Sequence, residues 1–536
     1  MSDPVQSRQS LPTPSSPTPD DVTAVHNVNE GEKDERDPFL VKFEWSDSAH
    51  DPRRWRESRK WAVVIISLIF SLWVQMISSM YAPAVEATAH DLGVGIVSAR
   101  VGQAIFLYGL AVGPIFIAPL SEDYGRKPVL LACAVLLGIF QIPLALTSNL
   151  GVFLFFRFLG GVVGSSAFNV VGAIADLWPP EQQGWAVNTF ALWVEIGAVS
   201  GPIAGAYIFL GKGWRWIFGI SGIVSGGLAI LYLLTVPETR AGVLLARRAA
   251  KKRKDTGDDR YYAQHERLRQ ERSVKMLLRE VLIRPVFMLF TEPIVWSFAA
   301  FDGINYAVLY LALESFPLIY GGFRFSLVSD PVLLLVNSKL TNNLYIGQPS
   351  QQGAQNLAFI PFAVGFCIAY VCYPIQLALE RRALKRSADG EMPPEARLLP
   401  EYAPWIASMI GTALYGAASH VIFIAVSDYT IAAYSLFAAS AVGGQSFARE
   451  FLSGSVTLFS EQMYTKLGYQ WASTLLALVA TLLAIVPFVL YAYGPTIRKH
   501  SSYHEEIVAH ERQMRIEFKQ HETQRQDEEA KFRTGT

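Results

Sequence analysis

Apolar residues gather into eleven long stretches between residues 61 and 493, cut apart by short polar turns and one long basic segment. A bilayer core about 30 Å thick needs about 20 apolar residues to be crossed by a helix. Lipid offers no hydrogen-bond partner to the backbone, so such a series predicts a bundle of membrane-spanning helices. The predicted spans are 61–85, 99–120, 128–148, 152–177, 186–210 and 216–236, then 287–320, 355–379, 403–426, 431–460 and 471–493. The fold class expected is therefore all-α and polytopic.

Basic residues orient the bundle. Arg53, Arg54, Arg56, Arg59 and Lys60 precede the first span, and Arg126 and Lys127 follow the second. The break at 237–286 holds 14 Lys and Arg, and Arg381, Arg382, Lys385 and Arg386 follow the eighth span. The alternate loops, 86–98 and 149–151, hold none. The expected domains are a disordered cytoplasmic arm (1–60), a six-helix half (61–236), a basic cytoplasmic linker (237–286), a second helical half (287–494) and a charged cytoplasmic tail (495–536). Two halves of this kind enclose a central cavity in a large class of transporters.

Composition narrows the function. The chain is 51% hydrophobic and 17% charged, with formal net charge zero over 536 residues. Ordinary soluble domains carry about 25% charged residues. Zero net charge leaves no bulk attraction to nucleic acid. Cys133, Cys367 and Cys372 all fall inside apolar spans and are expected to be small buried hydrophobes rather than a disulfide or metal site. The first 50 residues lack an apolar signal region. There is no metal cluster, nucleophile motif or phosphate-binding glycine loop. An enzyme, an ATP-driven pump and a bound cofactor are therefore not expected.

Several segments carry chemistry. The turn after the second span reads Ala118-Pro-Leu-Ser-Glu-Asp-Tyr-Gly-Arg-Lys-Pro128, with Gly125 for a tight turn and Pro128 suited to the first turn of the next helix. Arg157 lies six residues inside the fourth span, roughly 9 Å deep at 1.5 Å per residue. An arginine at mid-span costs about 2.5–3.5 kcal/mol on insertion scales, although this depth also permits it to reach the interface. Gly197, Gly201 and Gly205 share one face of the fifth span, beside Pro202. Small residues so spaced allow close helix approach.

These segments together resemble the major facilitator superfamily, and within it the fungal drug:proton antiporters. Asp37-Pro-Phe-Leu-Val-Lys-Phe-Glu44, Trp214-Arg-Trp216, Val236-Pro-Glu-Thr239, Thr291-Glu-Pro-Ile-Val295 and Pro394-Glu-Ala-Arg-Leu398 extend the likeness over most of residues 37–495. The resemblance implies two six-helix bundles and twelve spans. It implies a cytoplasmic gating loop of Glu122, Gly125, Arg126 and Lys127 with Asp176, and a proton-coupling role for Arg157. It makes Gly197, Gly201, Pro202 and Gly205 the antiporter motif of the fifth helix. Ala118 and Asp123 depart from the general loop pattern, which has glycine and a basic residue there. The implied function is proton-coupled efflux of a drug, toxin or metabolite by alternating access, in a cell membrane, plasma or vacuolar. The expected partners are a small molecule, protons and lipid, for a monomer. An uptake carrier and a transport-deficient sensor are the alternatives.

Polar groups inside spans mark a substrate or proton path. Glu195 and Asp302 are preferred, with Asn305, Tyr306, Glu314 and Asp428 as further candidates and Gln75, Gln103, Arg449 and Glu450 nearby. Glu314, Asp428 and Arg449 are also open to a position near span ends, and Arg449 to simple pairing with Glu450. Eleven spans against an expected twelve point to a lost ninth helix, and 323–350 is a long outer loop with Val332-Leu-Leu-Leu-Val336 too short to cross. An odd count would set the tail outside, whereas its eight Lys and Arg favour inside. The inside tail is the expectation kept.

Overall fold

The structure is a computed structural model. It describes residues 39–41, 51–179, 182–271, 283–320, 359–374 without 361 and 373, 412–434 and 437–501, with Tyr503 and Ile507. Among the described residues, nine helices are long and apolar enough to cross a membrane. The protein is an all-α polytopic membrane protein.

The first half begins with α1 (Glu57–Ser79), which continues through a 3-10 turn into α2 (Val85–Leu92). Then come α3 (Ile96–Asp123) and α4 (Arg126–Leu146). The fourth span is α5 (Leu150–Gly164), a 3-10 segment (Ser165–Asn169) and α6 (Val170–Leu177). The half closes with α7 (Gly184–Lys212) and α8 (Arg215–Thr235). Helix α1 packs on α7, α3 on α5, and α4 on α8.

The fit of α1 against α7 rests on the glycine face. A methyl on Gly201 or Gly205 would run into the backbone of Met76 or Met80, and one on Gly197 would come within 2.6 Å of the Leu72 carbonyl. Helix α7 runs without a break through Pro202.

The linker holds α9 (Ala241–Thr256) and α10 (Gln264–Glu271), closed by Arg253 on both Glu266 oxygens at 2.9 and 3.1 Å. That pairing holds the Glu266 carboxyl below its ordinary range. Part of the arm expected to be disordered is placed here. Val41 donates to the Tyr262 carbonyl, Tyr262 donates to Phe39, and Val41 is buried against Ala249 and Ala263.

The second half contains α11 (Arg284–Thr291), α12 (Pro293–Tyr320), α13 (Phe362–Cys372), α14 (Thr412–Tyr434), α15 (Ala438–Leu467), α16 (Tyr469–Leu483) and α17 (Ile485–Lys499). Its core pairing is α12 on α15. The expected span 287–320 is in fact interrupted at Glu292, which is extended at φ −96° and ψ 113°. Pro293 causes this, because proline disfavours helix at the residue before it.

The expected turn at 427–430 is helical, so the spans expected at 403–426 and 431–460 are shifted along the chain. Thr430, in that expected turn, is buried, bonded to the Val426 carbonyl and to Gln445 at 2.8 Å each. Helix α15 is more polar than its neighbours α14 and α16, yet Gln445, Arg449, Glu450, Ser453, Thr457 and Ser460 on it are buried. Cys133 is buried as expected, whereas Cys367 and Cys372 are exposed on the flank of α13.

Helices α3 and α15 pair antiparallel. Tyr108 meets Ser455 at 3.0 Å, and Arg100 meets Glu461 at 2.7 Å. Ile96 and Leu467 thus share one face of the bundle, and Asp123 and Ala438 the other. Glu292, bonded to Tyr434 and Ser501, lies at the Asp123 end, where the tail begins. Helices α13 and α14 run in the same direction, with Gly416 packed on Phe362. The proposed loss of a ninth span and the long loop 323–350 lie outside the described residues.

The last apolar span, Thr474–Lys499, is less buried than α4 and α8, which cover each other. Its side chains Leu475, Leu478, Leu482 and Ile485 point outward, as do Val135, Ile139 and Ile142 on α4. Such belts fit lipid contact.

Two outcomes follow from this packing. Gly205→Ala is expected to lower the thermal midpoint of the purified protein by several degrees. Overpacking a close backbone contact costs about 1–3 kcal/mol. Gly219→Ala, where a methyl would meet only the Trp216 ring at 3.5 Å, is expected to leave the midpoint unchanged. The linker hairpin should respond to acid. A carboxyl held low in the folded hairpin contributes stability above its unfolded range and loses it as pH falls through its folded range. Proteolysis within 241–271 should therefore accelerate at low pH in the native chain and be fast at all pH in Glu266→Gln.

Candidate functional site

The first polar cluster gathers at the Asp123 end. Gly125 adopts φ +107°, a conformation that glycine permits at the turn between α3 and α4. Glu238 then caps α4, accepting from the backbone nitrogens of Arg126 at 3.0 Å and Lys127 at 3.2 Å. A carboxylate at a helix N-terminus meets unsatisfied N–H groups and the positive end of the dipole. Arg126 is buried and pairs with Asp176 at 3.1 Å, Ser121 at 2.7 Å and, more loosely, Glu122 at 3.8 Å. Asp176 also takes Arg240 at 3.0 Å, and Lys127 donates to the Leu233 carbonyl at 2.9 Å. Among the described residues the charge contacts of this cluster join helices of the first half to the start of the linker. The Val236-Pro-Glu-Thr239 segment carries no signal of the capping role of Glu238.

Arg157 is fully buried, which rules out reach to the interface. It donates to the Gly102 carbonyl at 2.8 Å and lies 3.5 Å from that of Ile77. The rings of Phe106, Tyr81 and Phe218 stand 4.6, 5.4 and 5.8 Å from its guanidinium carbon. It ties α5 to α3 and α1 through carbonyl oxygens and aromatic faces, within one half.

The second cluster lies where the halves meet. Val194, Glu195, Asp302, Asn305, Tyr306, Ser419, Phe423 and Arg449 line a narrow cavity of about 10 Å³. Helix α7 supplies Glu195, α12 supplies Asp302, Asn305 and Tyr306, α14 supplies Ser419 and Phe423, and α15 supplies Arg449. Arg449 is buried 3.6 Å from Asp302 and 3.2 Å from Glu450. The rings of Phe423, Tyr306 and Phe168 surround it at 4.9, 5.0 and 5.7 Å. Phe168 sits in the 3-10 segment that interrupts the fourth span. Asn305 donates to Ser419 at 2.9 Å, and Gln75 to the Tyr306 hydroxyl at 3.3 Å.

Glu195 meets His420 of α14 across the interface, Oε2 to Nδ1 at 2.6 Å, and the other ring nitrogen lies 2.9 Å from Asn188 Oδ1. His420 was missed in the sequence. Its signal was available, since it is the one histidine of nine that falls inside an expected span.

Two expected path residues lie elsewhere. Glu314 is buried near the Leu467 end, 3.5 Å from Arg100, which also takes Glu461. There it joins α3 to the second half instead of lining the cavity, because α12 carries it three turns beyond Asp302. Asp428 lies within α14 two turns past His420, half-buried and away from the cavity lining. Among the described residues no group of three His, Cys, Asp or Glu side chains is placed to hold a metal ion.

The model of the Major Facilitator Superfamily matches residues 63–379. The chain belongs to that superfamily. The multidrug transporter FLR1 of Candida glabrata is 31% identical over 512 residues, 89% of this chain and 86% of the relative. Fluconazole resistance protein 1 of Saccharomyces cerevisiae is 30% identical over 501 residues, 88% of this chain and 86% of the relative. Among solved structures, the proton:xylose symporter XylE aligns with TM-score 0.53 at 14% identity, over 82% of this chain and 96% of that one. That likeness is one of fold. The superfamily is one of transporters, so the chain is a multi-pass membrane transporter and not an enzyme.

Arg449 tests the site. Arg449→Met removes the one guanidinium beside Asp302 and Glu450 and leaves two buried carboxylates facing each other. Removing one partner of a buried pair costs about 3–5 kcal/mol. Purified Arg449→Met should unfold at markedly lower temperature in a fluorescence melt, and the double variant Arg449→Met with Glu450→Gln should recover part of the loss.

Proposed function

We propose that this chain exports small organic compounds in exchange for protons, as a monomer in the plasma membrane, by alternating exposure of the central cavity. The observation that carries this is the meeting of Glu195 from one half and Asp302 from the other at one buried cavity, beside a single guanidinium. Carboxylates so placed can trade a proton for a substrate when the cavity opens to one side or the other. The relatives named for multidrug transport and fluconazole resistance support the direction and the substrate range.

At about 10 Å³ the cavity is far smaller than the roughly 300–1,000 Å³ of typical ligand pockets. A drug-sized molecule therefore enters only after the halves move apart. Tyr306, Phe423 and Phe168 give an aromatic wall for flat apolar substrates. On this reading Asp302 is the main proton site, Arg449 returns its charge when the proton leaves, and Arg157 holds α5 against α3 and α1 during the motion. The Arg126–Asp176–Glu238 cluster holds the cytoplasmic ends of the first half in register.

In vesicles with the cytoplasmic side facing out and an acid interior, rhodamine 6G and fluconazole serve as probes. Accumulation of at least one is expected to follow the pH gradient and to collapse with a protonophore. Asp302→Asn and Arg157→Ala should each lower gradient-driven accumulation at least about tenfold, equivalent to about 1.4 kcal/mol. Accumulation indifferent to the gradient in the native chain would overturn the reading.

A further inference from the structure

We propose that Glu195, His420 and Asn188 form a proton-dependent clasp between the two halves, a proton-binding site separate from Asp302. It deepens the exchange reading above and rests on it.

The three residues bridge the interface with two contacts. Glu195 and Asn188 stand seven residues apart on α7, so they share one face, and His420 reaches between them from α14. All three are buried. One ring nitrogen faces a carboxylate oxygen at 2.6 Å and the other an amide oxygen at 2.9 Å. Asn188 turns its acceptor to the ring, and its amide nitrogen has no partner among the described residues. An imidazole set between two acceptors makes both bonds only when both nitrogens carry hydrogen. The arrangement therefore holds one proton more than a neutral ring beside a carboxylate.

Remove that proton and Nε2 presents a lone pair to the Asn188 oxygen. The amide must then turn over to donate to the ring, and the contact with Glu195 loses its charge assistance, which makes the inter-half bond weaker. The surrounding charges do not replace it. Asp302 comes from α12, Arg449 and Glu450 from α15, and Tyr415 from the preceding turns of α14. Arg449 is already shared by Asp302 and Glu450. Among the described residues His420 is the basic side chain in direct contact with Glu195, and Arg449 acts on it from further off.

The sign follows. The joined state binds a proton that the parted state does not, so acid favours it and its share falls as pH rises. When the halves part, the proton leaves to the water that enters between α7 and α14. Histidine suits this role because its charge changes near physiological pH.

The experiment reads conformation without any substrate. With Cys133, Cys367 and Cys372 replaced by alanine, spin labels are placed at exposed positions Gln182 and Lys499 for one end, and Lys212 and Lys466 for the other. Pulsed dipolar spectroscopy then gives inter-half distances in nanodiscs from about pH 5.5 to 8.5. The share of the joined distance is expected to fall as pH rises in the native background. His420→Gln and Glu195→Gln should each lose this response. Asn188→Ala removes only the neutral acceptor and should move the midpoint to lower pH. A flat native profile, a native-like response in either glutamine variant, or an unmoved Asn188→Ala midpoint would each overturn the clasp. Asn188→Ala keeps the test open if the glutamine variants fail to fold. Gradient-driven probe accumulation that persists in His420→Gln alongside a native-like response would count against the clasp alone. A native chain without such accumulation would count against the exchange reading.

Discussion

A charged group in a bilayer must find its partner inside the protein, and that constraint arranges the centre of this molecule. Arg449 lies at the contact of two helical halves, away from water, and it stays because Asp302, Glu450 and three aromatic faces surround it. Asp302 is on a different helix, so the pair draws α12 and α15 together, which is the main contact of the second half. Phe168 reaches the same guanidinium from a 3-10 segment of the first half. The site and the fold therefore share their fixing interaction.

Much of the bundle was legible because lipid enforces a simple rule on length and hydropathy. The first six spans and the glycine face of α7 emerge from composition and spacing alone, and the glycine face has a direct cause in the backbone of Met76 and Met80. Illegible parts had specific causes. Glu292 and Pro293 split a stretch that hydropathy joined. Asp428-Tyr-Thr430 looked like a turn because single polar residues carry no label saying whether a neighbouring helix satisfies them; Gln445, fifteen residues on, satisfies Thr430.

The candidate site followed the same divide. Glu195 and Asp302 stood out as carboxylates within spans, and both face the cavity. Glu314 had the same signature and lies three turns further along α12, beyond the reach of that cavity. Spacing fixes the face of a helix but says nothing of which partner meets it at each level. His420 was visible as a histidine in an apolar run, yet its meaning depends on Glu195 and Asn188, more than 200 residues away. Pairings across that separation come from tertiary packing.

The two ends of the interface are closed by unlike means, and this bears on how the cavity opens. At the Leu467 end Arg100 is buried between Glu314 and Glu461, with Tyr108 stacked on Phe451 at 4.9 Å between ring centres. At the other end, among the described residues, α7 and α13 meet through a hydroxyl pair, Thr189 with Tyr370 at 3.1 Å, and an edge contact of Trp185 on Tyr370. Parting the first end exposes one cation and two carboxylates that water can solvate, so the lost ion pairs are offset by hydration. Among the described residues, parting α7 from α13 at the second end breaks one neutral side-chain hydrogen bond, worth about 1 kcal/mol net. One end is thus held by charge that water can replace and the other by aromatic packing and a hydroxyl pair, while the centre is held by contacts that water does not reach in this state.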